Sequence, residues 1–149
     1  MELGKEAAKQ PWSGYLFNQI AGRFRSLTQQ ALQPLGLSPP MLRALETIDS
    51  DQPLTQAQLG NRVGIDRTTI VHLVDRFEKL GYAQRSRSSA DRRAHVILLT
   101  TEGTAALAKA RILAREVEAL VLAPLSPARR QSLLELLEAV HQPINCPKE

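Results

Sequence analysis

The chain has 149 residues, 43% of them hydrophobic, with 19 Lys and Arg against 15 Asp and Glu, which is enough for one ordinary core and leaves no obvious room for a second. No stretch approaches the ~18 apolar residues of a bilayer span, the start lacks an apolar secretory core, and the lone cysteine, Cys146 in a Pro-flanked tail, excludes a disulfide framework. A single soluble domain over 1–149 in a reducing cytoplasm, with no membrane partner, is the expectation, and the net charge of +4 favours a polyanionic partner.

Leu16, Ile20, Phe24, Leu27 and Ala31 recur at steps of four and three, predicting a long amphipathic helix over 13–33 that ends before Pro34. Ser38 then offers an N-cap and Pro39 a first-turn proline for a second helix with Met41, Leu42, Leu45 and Ile48 inward. Residues 49–53 read as a loop. Thr55 and Gln58 stand at capping-box spacing before a short third helix, which carries Leu59 and Val63 inward and stops at Gly64. Asp66 caps a fourth helix that runs to about Leu80 and is closed by Gly81.

Residues 82–87 and 95–99 flank a polar segment and predict a β-hairpin, whose loop is longer than a two-residue turn and projects from the body. Ala106, Ala110, Leu113, Val117 and Leu120 keep a heptad-like step through a fifth helix over 101–123. Ser126-Pro127 starts a sixth with Leu133, Leu136, Leu137 and Val140 as its stripe. The fold class expected is mainly α with a small β-hairpin.

The third helix, Gly64 and the fourth helix have the order of a helix-turn-helix. On the fourth, Ile70, Leu73, Val74, Phe77 and Leu80 suit the inner side, leaving Arg67, Thr68, Thr69, His72, Arg76 and Lys79 outside, with almost no carboxylate before Asp75 and Glu78. Hydroxyls and a guanidinium in a first turn suit base edges and phosphates. The hairpin concentrates Arg85, Arg87, Arg92 and Arg93 against the single Asp91. A basic loop beside a helix-turn-helix is a wing, suited to the electronegative minor groove while the fourth helix occupies the major groove.

Asp91-Arg92-Arg93-Ala94-His95-Val96-Ile97-Leu98-Leu99-Thr100 resembles the DxRxxxxxLT signature of the MarR regulators at every defined position, and Glu102-Gly103 also fits. Residues 54–60, 66–69 and 74–82 look like the same family's third and fourth helices, and the resemblance spans about 13–141. It implies a winged helix-turn-helix lobe over 39–100 and dimerisation helices over 11–35 and 101–142. It further implies a homodimer on a pseudo-palindromic DNA duplex, with Gln56, Arg67, Thr68, Thr69, His72, Arg76, Arg92 and Arg93 at the DNA and Asp91 holding the wing arginine. The terminal helices independently carry more apolar surface than a small winged helix needs, enlarged by Trp12, Tyr15 and Phe17.

Relatives of this kind respond to small aromatic or phenolic effectors, for which Trp12, Tyr15, Asn18, Arg23 and Met41 are the candidate lining, although such residues also suit an interface core. Cys146 lies at the wrong end for the thiol sensing some relatives use. His72, His95 and His141 are scattered, with no HxxxH or CxxC pattern, no GxSxG and no phosphate-cradling glycine loop. A regulator and not an enzyme, without cofactor or metal, is the expectation. The alternative is a winged helix that meets an acidic protein partner in place of DNA.

Overall fold

In the computed structural model, which describes residues 12–88 and 94–144, six α-helices surround a small antiparallel sheet. Helix α1 spans Ser13–Leu32 and is followed by a single 3-10 turn, Gln33–Leu35. Then come α2 (Pro39–Asp51), β1 (Leu54–Thr55), α3 (Gln56–Val63), α4 (Arg67–Leu80), β2 (Ala83–Arg87), β3 (His95–Leu99), α5 (Thr101–Val121) and α6 (Pro127–Ile144). The wing-tip residues Asp91, Arg92 and Arg93, and also Cys146, lie outside the described residues.

Local chemistry explains where the central elements begin and end. Thr55 opens α3 through a reciprocal box: its hydroxyl accepts from the Gln58 amide at 3.2 Å, and the Gln58 side-chain oxygen accepts from the Thr55 amide at 2.9 Å. Gly64, at φ +69°, turns the chain out of α3 in a conformation that L side chains rarely adopt. Thr100 caps α5 by accepting from the Gly103 amide at 2.9 Å.

Four boundaries depart from the expected ones. Pro34 falls inside the 3-10 turn that extends α1, because that tighter turn needs no amide from it. Helix α2 continues to Asp51, with the Gln52 amide donating to the Ile48 carbonyl at 2.9 Å, so the expected loop shrinks to Gln52-Pro53. Ser38 occupies the N-cap position of α2 without a side-chain bond, and Pro40 at the second helical position removes one of the two amides that a cap would bond. The hairpin is joined by β1, which pairs antiparallel with β3 (Leu54↔Ile97, Thr55↔Val96), making a three-stranded sheet in the order β1-β3-β2. Within the hairpin Ala83 faces Leu99 and Arg87 faces His95.

One core runs through the winged-helix lobe and into the long helices. Leu45 and Ile48 of α2, Leu59 of α3, Ile70, Val74 and Phe77 of α4 and Ile97 of β3 meet there with Leu32 of α1 and Leu107 and Ala110 of α5. Removing each large side chain from water is worth roughly 1.5–3 kcal/mol. Gly103 marks the tightest junction: a Cβ there would lie 1.8 Å from the Tyr82 carbonyl oxygen, so α5 starts pressed against the backbone that leaves α4. Beyond that junction burial thins. Helix α1 packs along α5, yet Tyr15, Leu16, Phe17 and Ile20 remain exposed, and no residue of α6 with a described side chain is buried. Among the described residues, no helix is long and apolar enough to cross a membrane.

Candidate nucleic-acid interface

Helices α3 and α4 are held at close range by Gly60, where a Cβ would stand 3.0 Å from the Ile65 carbonyl oxygen and 3.4 Å from Ile70 Cγ2. Ile70, Leu73, Val74 and Phe77 anchor α4 inward. Arg67, Thr68, Thr69 and His72 are exposed on its first two turns. The side chains of Arg67 and His72 make no hydrogen bond or ion pair among the described residues.

Asp66 sets this first turn. Its Oδ1 accepts from the amides of Thr68 and Thr69, each at 3.0 Å, and its Oδ2 accepts from the Thr69 hydroxyl at 2.6 Å. The Thr69 hydroxyl first, and then the two amides, hold the Asp66 carboxyl below the usual carboxylate range. The donor of Thr69 is therefore committed internally, leaving its methyl and its oxygen lone pairs for an outside partner.

An open groove of about 740 Å³ runs between α3, the start of α4 and the root of the wing. It brings Gln56 and Arg67 together with Asn61 and His95, two residues that sequence reasoning did not nominate. Asn61 carries no motif, and His95 enters the signature only at an undefined position.

Arg85 departs most from its sequence reading. Instead of adding free charge to the wing, its guanidinium reaches Asp75 Oδ1 at 2.7 Å, Gln56 Oε1 at 3.0 Å and Glu78 Oε2. Its backbone amide donates to Glu78 Oε1 at 3.0 Å. The i, i+3 spacing of Asp75 and Glu78 puts both carboxylates on one side of α4, a signal for a cation across from them. Arg76, two helical turns beyond Thr69, is likewise drawn aside: its Nη2 donates to the Gly36 carbonyl at 3.3 Å in the connection between α1 and α2. Tyr82 grips the same connection, its hydroxyl donating to the Leu35 carbonyl at 3.0 Å.

The five effector candidates do not converge within one chain. Met41 is buried and lines a shallow groove with Arg76 and Gly36. Arg23 lines a separate apolar groove of about 380 Å³ with Phe17, Ile20, Phe24 and Leu137. Trp12, Tyr15 and Asn18 stand exposed at the start of α1. Among the described residues no group of three His, Cys, Asp or Glu side chains is placed to hold a metal ion.

The MarR family model matches residues 35–94, the segment from the end of the 3-10 turn to the residue before β3. The HTH-type transcriptional regulator YcgE of Bacillus subtilis (strain 168) is 36% identical over 86 residues, which cover 58% of this chain and 56% of that protein. A protein assigned to transcriptional regulation of the hcr operon in Thauera aromatica is 30% identical over 124 residues, covering 83% of this chain and 74% of that one. The transcriptional repressor CouR, solved bound to a 23-mer DNA duplex, superposes with a TM-score of 0.78 at 27% identity over 95% of this chain and 98% of its own.

Proposed function

The chain belongs to the MarR family of DNA-binding transcription regulators, which are not enzymes, and from that premise we propose that it is a homodimeric repressor that reads a pseudo-palindromic duplex and is released by a small aromatic or phenolic ligand. The observation that carries the DNA reading is the exposed, acid-free first turn of α4 fixed by Asp66 beside the Gln56–Arg67 groove. In this reading Arg67, Thr68, Thr69 and His72 meet base edges and nearby phosphates in the major groove. Gln56 approaches the backbone, and Arg92 and Arg93, positioned by Asp91, enter the adjacent minor groove. Arg76, bonded to Gly36, is the least available of the expected contacts.

The apolar surface that α1, α5 and α6 leave exposed, and the lobe does not, supports a dimer paired two-fold through those helices. Pairing of that kind sets two copies of α4 about 34–36 Å apart, or a multiple of it, along one face of the duplex. The Arg23 groove supports the ligand reading: its aromatic and aliphatic walls suit an aromatic ring, and Arg23 with Glu118 supplies one polar group of each sign. Trp12, Tyr15, Asn18 and Met41 then belong to the surroundings of that site only as the dimer or a ligand assembles them.

Selection of bound duplexes from a randomised pool, at two salt concentrations, tests this function. A pseudo-palindrome enriched at both is the expected result, since base contacts persist when the phosphate contribution is screened. Binding without enrichment, or no binding, overturns it and brings forward a winged helix that contacts an acidic protein.

A further inference from the structure

The geometry points to Arg85 as the positioning residue of the DNA-reading surface, acting through Gln56 and through the angle between the wing and α4; this rests on the DNA reading above. Its side chain is 28% exposed and joins three elements: Gln56 at the start of α3, Asp75 and Glu78 on α4, and β2, on which it sits. Partly solvated ion pairs contribute little net stability. Two bonds from Nη2, one from Nη1 and one from the backbone amide nevertheless leave the root of β2 little freedom to pivot on α4.

The chemistry of Gln56 makes the inference specific. A guanidinium only donates, so the side-chain oxygen of Gln56 must face Arg85, which leaves the amide nitrogen as the available donor of a residue that lines the groove shared with Arg67. Phosphate oxygens only accept. Arg85 thus turns an ambivalent amide into a fixed donor of the kind that a DNA backbone receives. Asp75 and Glu78, which would otherwise repel phosphates from the outer side of α4, are offset by the same cation.

A residue that merely added positive charge would behave differently from one that orients its neighbours, and anisotropy titrations separate the two. Wild type, R85K and D75A/E78A are measured against the enriched duplex and a scrambled duplex from about 50 to 300 mM salt. R85K retains the charge but not the fork. The expected result is a roughly tenfold loss in the ratio of specific to non-specific affinity, from the altered angle of wing and α4, above a smaller loss shared by both duplexes from the Gln56 backbone contact, with the salt slope unchanged. D75A/E78A makes the surface more positive, so it raises non-specific affinity and still lowers the ratio. The loss from R85K shrinks in a Q56A background, because the two residues act as a unit.

An unchanged ratio in R85K, or parallel gains on both duplexes in D75A/E78A, overturns the proposal and makes Arg85 an ordinary cation held in reserve by two acids. Circular dichroism identifies any variant that fails to fold, in which case the other decides. A wild-type chain that enriches no duplex removes the DNA reading together with this proposal; an enriching wild type with an unmoved ratio in the variants removes the proposal alone.

Discussion

The winged-helix lobe and the long terminal helices solve the problem of apolar surface in opposite ways. Between residues 33 and 100, no large hydrophobic side chain of the described residues is exposed, whereas Trp12, four residues of α1, two of α5 and four of α6 are. Leu45 and Ile48 in the lobe are wholly buried; Leu136 on α6 is 65% exposed. The lobe buries its apolar side chains within one chain, with helix caps, tight glycines, a strand added to the hairpin and the inward sides of α1 and α5. The terminal helices bury the side turned toward that core, through Leu32, Leu107 and Ala110, and little else beyond Ala106 and Val117. An element finished within one chain and an element left with an open apolar face leave different marks on the same sequence.

The strongest way to break this division is at its junction. Gly103→Ala places a Cβ on the Tyr82 backbone, where no flexible side chain can yield. We expect a cost above ~3 kcal/mol, or about 10 °C in Tm, read by thermal denaturation; a smaller shift would mean that α5 and the lobe are loosely joined. Next in size, Leu45→Ala should lower stability by about 2–5 kcal/mol at every protein concentration, as a buried leucine does when it leaves a cavity. Leu134→Glu combined with Leu137→Glu, on surface that is already 40% exposed at each position, should leave the helical circular dichroism in place and halve the sedimenting mass. A dimer that survives this double substitution would place the pairing surface away from α6.

The smallest effect sharpens the picture within the lobe. The Asp66 cap is local, and its carboxyl titrates below the usual range because the charged form is bonded by Thr69 and Thr68. A lowered folded-state pKa means that the contribution is fully present above the unfolded value of about 3.9 and is lost as the pH falls through the folded one. The stability gap between wild type and Asp66→Ala should therefore be constant near neutrality and close on acidification, as urea unfolding at a series of pH values would show. A gap independent of pH would mean that the loss comes from helix entry geometry alone.

How far each feature could be read from the chain follows from how far apart its partners lie. The caps at Thr55 and Asp66 bond within three residues, so spacing alone reveals them. Long amphipathic stripes behave similarly, and all six helices were legible. Arg85 reads as one more wing cation, since its partners stand 7, 10 and 29 residues away and only the folded hairpin brings them together. Strand β1, with two residues, is too short to show an alternation. The candidate effector residues scatter for a related reason: Met41 belongs to the stripe that builds the lobe, and a stripe looks the same whether it packs against its own chain or lines a pocket.

The grip of Arg76 and Tyr82 on the connection between α1 and α2 has a mechanical consequence. Arg76 bonds from about one turn inside the C-terminal end of α4 and Tyr82 from just beyond it, while the base-reading candidates sit at the other end. Fourteen residues make a rod about 21 Å long. A tilt of about 5° imposed where the connection is gripped swings the far tip by about 2 Å, enough to carry donors out of hydrogen-bond range of a base edge. Whatever tugs at α1 therefore acts on the short arm of a lever whose long arm ends at Arg67.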